Sequence, residues 1–196
     1  MSKSLDFYFD VGSPTAYLAW TQMPKLIEET GGSVNYKPIL LGGVFKASGN
    51  ATPVSVPAKG KWMMGDLSLW AKKYNVPMKM NSKFPVNTLY LQRGLLAYRD
   101  HAKFVTLGDA IFDAMWVSDK DMTDMETVAD IVSSAGIDSA EFGEKINDPD
   151  VKQGLINATE EAVNNGLFGA PSFIIDGQLF FGQDRMEFVK EALKAS

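Results

Sequence analysis

The polar and apolar positions of this chain follow a strand period at both ends and a helix period through the middle. Residues 5–9, Leu5-Asp6-Phe7-Tyr8-Phe9, form a short aromatic-rich run of the kind that makes a buried strand. Asp10-Val11-Gly12 reads as a turn. Ser13 then reads as a helix N-cap and Pro14 as the first helical residue, because a serine hydroxyl accepts from an orphan N–H and proline has none to satisfy. The helical pattern continues to about residue 29, with Pro24 inside it as an expected kink and Gly31-Gly32 as its stop. Residues 34–41 alternate as a second strand. Strand, helix and strand make a βαβ unit, which crosses right-handed and pairs in parallel. Residues 42–57, rich in Gly, Ser, Asn and Pro, read as a loop.

From 58 to 165 the period is helical, with helices expected at 59–74, 87–101, 104–117, 125–135, 139–146 and 149–165. Pro77, Pro85, Gly136 and Asp148-Pro149 separate them. The strand signal returns at 171–175. Asp176-Gly177 is a favoured two-residue hairpin turn, and 179–181 is the return strand. Asp184, with Glu187 three residues on, predicts a capping box for a last helix. Neither end has enough strands for a stable sheet, so the two ends are expected to share one. The predicted organisation is an α/β domain of order βαβ…ββα built from 1–41 and 166–196, with 42–165 as a connecting loop and a large all-helical insertion.

Composition narrows the chemistry. The 196 residues, 45% hydrophobic and 22% charged, suffice for a buried core without staples. A net charge of -5 argues against a nucleic-acid partner, which needs a basic surface. No apolar run approaches the roughly 18 residues of a membrane helix. The N-terminus runs almost directly into the first strand without an export signal, so a cytoplasmic location is expected. The absence of cysteine excludes disulfides, thiolate metal sites and a cysteine nucleophile, and the single histidine, His101, excludes multi-histidine metal sites. His101 itself reads as a helix-surface residue, and no metal is expected.

Two places remain where chemistry is plausible. Ser13 stands where a helix N-terminus presents unpaired N–H groups and favours negative charge. Local sequence asks no more of it than capping, but a hydroxyl can do both. Gly169-Ala170-Pro171-Ser172 precedes the third strand. Most X–Pro bonds are trans, whereas a cis bond at Pro171 would turn the Ala170 backbone outward to meet an extended peptide.

Phe7-Tyr8-Phe9-Asp10-Val11-Gly12-Ser13-Pro14 with Tyr17-Leu18-Ala19 resembles the N-terminal signature of 2-hydroxychromene-2-carboxylate isomerases and kappa-class glutathione transferases. Phe168-Gly169-Ala170-Pro171-Ser172-Phe173 and Phe181-Gly182-Gln183-Asp184-Arg185 resemble the C-terminal signatures of the same group. Ser48-Gly49-Asn50 after Lys46, and Phe84-Pro85-Val86-Asn87-Thr88, are similar to its middle motifs.

The resemblance implies a DsbA-like thioredoxin fold, a homodimer, and glutathione as the source of the thiol. It assigns Ser13 to the glutathione thiolate as the catalytic residue. Ala170, with Pro171, would pair with the glutathione backbone, and Asp184 and Arg185 with its γ-glutamyl end. Asn50 and Lys59 would also bind it, although Lys61 is an alternative to Lys59. The substrate pocket would draw on Trp62, Met63, Met64, Phe84 and Tyr90, with Lys46 or Arg93 holding a substrate carboxylate. The activity implied is a glutathione-dependent isomerisation between 2-hydroxychromene-2-carboxylate and trans-o-hydroxybenzylidenepyruvate in aromatic degradation. Alternatives are a kappa-like transferase and a cysteine-less, non-catalytic thioredoxin-like scaffold.

Overall fold

The computed structural model describes residues 3–194; residues 1, 2, 195 and 196 of the expected outer domain lie outside the described residues. Four strands form one mixed sheet in the order β2-β1-β3-β4, with β1 Ser4–Phe9, β2 Ser33–Pro38, β3 Ser172–Ile175 and β4 Gln178–Phe181. β1 pairs in parallel with β2, Leu5 opposite Val34 and Phe9 opposite Pro38. On its other side β1 pairs antiparallel with β3, Phe7 opposite Phe173. Strands from the two ends of the chain therefore share a sheet, as the patterning predicts. The β3–β4 turn places Asp176 at φ 49° and Gly177 at φ 81°. These are the positive angles for which an Asp-Gly pair is suited.

Alternation along β1 sends Leu5, Phe7 and Phe9 to one face and Tyr8 to the other, all buried. Phe7 and Phe9 join Trp20, Tyr36, Phe112 and Phe173 in the main core, with ring centroids of Phe7 and Phe173 5.2 Å apart and those of Trp20 and Tyr36 4.8 Å apart. Tyr8 packs in a smaller cluster with Ile39, Val44, Ala162 and Leu167.

The helices are α1 Pro14–Trp20, α2 Met23–Thr30, α3 Leu41–Ser48, α4 Pro57–Tyr74, α5 Leu89–Ala97, α6 Phe104–Trp116, α7 Met125–Ser134, α8 Ser139–Lys145, α9 Pro149–Asn164 and α10 Met186–Lys194. Three details correct the sequence reading. The expected kinked helix is two helices, because Pro24 has no N–H to donate to the Trp20 carbonyl and the chain closes at Thr21 and Gln22 before restarting. The expected 42–57 loop begins with α3, whose N-terminal groups are satisfied by distant partners: Leu40 N–H donates to Thr159 Oγ1 at 3.0 Å and Leu41 N–H to Asp10 Oδ2 at 2.9 Å. His101 follows α5 in an exposed bend, its Nδ1 accepting from Lys103 N–H at 3.1 Å.

Gln92 of α5 fixes this helix to the C-terminal ends of the parallel strands. Its buried amide donates to Phe9 O at 2.9 Å and Ile39 O at 2.7 Å, and accepts from Val11 N–H at 3.2 Å. Trp116 Nε1 of α6 donates to Val11 O at 2.8 Å. α5 and α6 thus clamp the turn in which β1 hands over to α1. No described helix is long and apolar enough to cross a membrane.

Candidate active site

The β1–α1 turn is built around a buried carboxylate. Asp10 Oδ1 accepts from Gly12 N–H at 2.9 Å and from the Thr88 hydroxyl at 2.7 Å, while Oδ2 takes the Leu41 N–H. Burial pushes the Asp10 carboxyl up, against the pull of those three donors. A Cβ at position 12 would sit 3.0 Å from Thr88 Cγ2 and 3.3 Å from Asp10 Oδ1, so a side chain there would require these neighbours to give by a few tenths of an ångström. One side chain thereby joins the turn, the start of α3 and the start of α5.

Ser13 follows as the N-cap of α1, its hydroxyl oxygen accepting from Ala16 N–H at 3.2 Å. The same hydroxyl lies 3.0 Å from the Ala170 carbonyl oxygen, to which it donates, and 3.0 Å from Thr15 Oγ1. Thr15 Oγ1 lies 3.3 Å from the same carbonyl. Ala170 precedes a cis bond to Pro171. Among the described residues nothing within the chain accepts a hydrogen bond from the Ala170 N–H.

Ser13 and Ala170 lie on the wall of a cavity of about 620 Å³. It also brings together Asn50, Lys59, Phe84 and Asp184 from the sequence-derived set, together with Met63 and Asp66 of α4. Such a volume falls within the range of small-ligand sites. Lys59, rather than Lys61, reaches the cavity. Among the described residues Lys59 makes no ion pair.

Asn50 already bridges the site: its Nδ2 donates to Phe168 O at 2.8 Å and its Oδ1 accepts from Ala51 N–H at 2.8 Å. Phe168 and Phe181, with centroids 4.6 Å apart, form an exposed aromatic pair at the rim. Asp184 does not form the expected capping box. Its Oδ2 accepts from Arg185 Nη1 at 2.5 Å, because a short 3₁₀ turn, Gln183–Arg185, intervenes before α10. Tyr74 donates to Gln183 O at 2.5 Å, fastening that turn to α4. Burial raises the Tyr74 phenol to about 12, so it stays protonated at neutral pH.

The other candidates lie off the cavity wall. Pro171 is buried, its carbonyl accepting from Gly182 N–H at 3.0 Å. Arg185 is exposed beside Asp184. Lys46 is exposed in the last turn of α3. Trp62 is 68% exposed and does not line the cavity. Met64 lines a separate groove with Met78 and Met80. Tyr90 and Arg93 pair with each other on α5, the guanidinium carbon 5.7 Å from the ring centroid. Lys59, Met63 and Asp66, at i, i+4 and i+7 of α4, line the cavity, while Trp62 falls at the edge of that face and stays exposed.

Three contributors were not identified from sequence. Asp10 reads there only as a turn residue, Thr88 only as part of a motif, and Thr15 only as a first-turn helix residue. Their roles depend on partners 31 to 155 positions away. An acidic residue in an otherwise apolar strand end was the one local signal for Asp10.

Comparison with known proteins gives the same frame. A family model described as a DSBA-like thioredoxin domain matches residues 4–194. The 2-hydroxychromene-2-carboxylate isomerase of Sphingobium xenophagum is 33% identical over 196 residues, covering 98% of this chain and 99% of that protein. Glutathione S-transferase kappa 1 of Caenorhabditis elegans is 31% identical over 207 residues, covering 97% and 90%. A solved structure of a 2-hydroxychromene-2-carboxylate isomerase superposes with a TM-score of 0.89 at 24% identity, covering 97% of this chain and 94% of that one. A probable DsbA oxidoreductase from Streptomyces coelicolor superposes with a TM-score of 0.77 at 18% identity, covering 97% and 88%. These superpositions establish the fold.

Proposed function

Because this chain belongs to the family of DSBA-like thioredoxin domains, we propose that it is a glutathione-dependent isomerase of the 2-hydroxychromene-2-carboxylate type. The observation that carries the reading is the Ser13 hydroxyl facing the Ala170 backbone across a ligand-sized cavity, in a chain with no sulfhydryl of its own. A thiol site in this fold without cysteine must take its sulfur from a ligand. The wall suits glutathione: Ser13 for the thiol, the unpartnered Ala170 N–H for a peptide carbonyl, Lys59 for a carboxylate and Asp184 for the γ-glutamyl ammonium.

Ser13 donates to the sulfur and favours its anionic form. Lys59 is the cation on the cavity wall, so it attracts the substrate carboxylate or that of glutathione; Lys46 and Arg93 do not line it. Met63, Phe84 and the Phe168–Phe181 pair supply an apolar wall for an aromatic ring. When bound, glutathione would supply the thiolate nucleophile for reversible addition to the conjugated double bond of the opened substrate. Asp10 holds the turn that presents Ser13.

The sequence resemblance implies two further parts of the reading, a homodimer and a substrate from aromatic-ring degradation, and the location proposed with them is the cytoplasm. The kappa-like transferase alternative is supported by the relative at 31% identity. Product analysis separates the two. Incubation with reduced glutathione and 2-hydroxychromene-2-carboxylate should equilibrate the ring-closed and ring-opened ultraviolet spectra with glutathione conserved. Stoichiometric loss of glutathione would establish a transferase. No glutathione binding by calorimetry would leave only the scaffold.

A further inference from the structure

Ser13 and Thr15 together hold two hydroxyl protons, and three acceptors compete for them. The Ala170 carbonyl oxygen is 3.0 Å from Ser13 Oγ and 3.3 Å from Thr15 Oγ1, and the two hydroxyl oxygens are 3.0 Å apart. Ser13 is 4% exposed and Ala170 8% exposed, so both sit buried at the cavity wall. Two arrangements of this triangle differ in where the Ser13 proton goes. In one, Ser13 donates to Ala170 O and Thr15 donates to Ser13 Oγ. In the other, Thr15 donates to Ala170 O and the Ser13 proton is free to point elsewhere.

We propose that Thr15 is a positioning residue that takes over the Ala170 carbonyl, releasing the Ser13 proton to the sulfur of a thiol bound in the cavity. This rests on the reading of the cavity as a glutathione site. Thr15 does not touch the reacting atoms; it acts by keeping Ala170 O paired when Ser13 turns away. Without it, a thiolate could draw the Ser13 proton only by leaving a buried carbonyl with no donor, which opposes ionisation. Lys59 and Asp66 from α4 and Asp184 from the segment after β4 line the same cavity, and Asp10 lies behind the turn.

The test compares the wild type with Thr15→Val, which keeps the shape and removes the hydroxyl, and Thr15→Ser, which restores it. Glutathione is titrated into each, and the thiolate absorbance of the bound tripeptide is followed against pH. The S-methyl derivative of glutathione, which has no thiol proton, reports pocket integrity. Thr15→Val should leave about threefold to tenfold less thiolate at neutral pH, as expected for one lost hydrogen bond. Thr15→Ser should return to the wild-type curve, and affinity for the S-methyl derivative should hold in all three.

If Thr15→Val ionises like the wild type, or Thr15→Ser behaves like Thr15→Val, the role of Thr15 is refuted while the glutathione reading stands. Equal loss of the S-methyl derivative would also refute it, since Thr15 would then only shape the pocket. If the wild type itself fails to bind glutathione, both fall.

Discussion

Replacing Ser13 with Ala separates what this hydroxyl does for the fold from the role proposed for it at the thiol. In the fold it caps α1 through Ala16 N–H and donates to Ala170 O, for which Thr15 stands 3.3 Å away as a substitute donor. The loss is then mainly that of an N-cap, about 1 kcal/mol and within about 2. For a chain of this size that lowers Tm by roughly 2–8 °C. At the thiol the loss is that of a hydrogen bond to a charged group, about 1.5–3 kcal/mol. At about 1.4 kcal/mol per unit, the bound thiol pKa rises by about one to two units. Because the bond favours the anion, its removal moves the acid limb of the pH–rate profile to higher pH. Turnover at neutral pH should fall about 10- to 100-fold, while the rates of variant and wild type converge in alkaline solution. Steady-state rates across pH, run well below the variant's Tm, give the measurement. An acid limb that does not move in Ser13→Ala would refute the assignment, and parallel profiles offset at every pH would show that Ser13 acts by geometry instead.

Other outcomes follow from the same structure. A methyl at Gly108 would sit 2.4 Å from Trp20 Cζ2, and Trp20 is held by its Nε1 bond to Asp109 at 2.6 Å and by the rings around it. Overpacking of about 1–3 kcal/mol should therefore exceed the roughly 1 kcal/mol gained in helix propensity, and urea unfolding of Gly108→Ala should show net destabilisation. Burial raises the Asp10 carboxyl above its usual 3.8, so the folded state binds that proton more readily than the unfolded state. Between the two values stability falls as pH rises, and Asp10→Asn should flatten that part of the stability curve; an unaltered slope would count against it. At lower pH the trend reverses as Asp119, Asp121 and Asp124, all held below the usual range by their hydrogen bonds, become protonated. Lys59→Gln should weaken glutathione binding about two- to fivefold and reduce its salt dependence, whereas Lys61→Gln should do neither; equal effects would misplace the cation.

The elements most legible in the sequence were those whose signals are local. Aromatic alternation marked β1, and Asp176-Gly177 marked the β3–β4 hairpin. Proline and glycine stops bounded most of the inserted helices to within a few residues. α3 was missed because its glycines read as breakers. In the structure Gly43 instead permits close approach, since a Cβ there would meet Thr159 Cγ2 at 3.0 Å, and the helix start is capped by Asp10 and Thr159. Site residues sorted in the same way. Ser13 and Ala170 were found through motifs that contain them whole. Which of Trp62 and Met63 faces the cavity depends on the rotation of α4, which no single stretch of sequence fixes. Asp10, Thr15 and Thr88 acquire their partners only on folding.

Ser13 and Ala170 are separated by 157 positions, yet they meet across one hydrogen bond. Synthesis proceeds from the N-terminus, so the hydroxyl emerges from the ribosome long before the carbonyl that faces it. A nascent chain that has completed every inserted helix still lacks β3, and with it one wall of the pocket. Ligand therefore cannot assist the early stages of maturation, and any molecule cut short before residue 170 should be unable to bind it, however much of its helical bulk has formed.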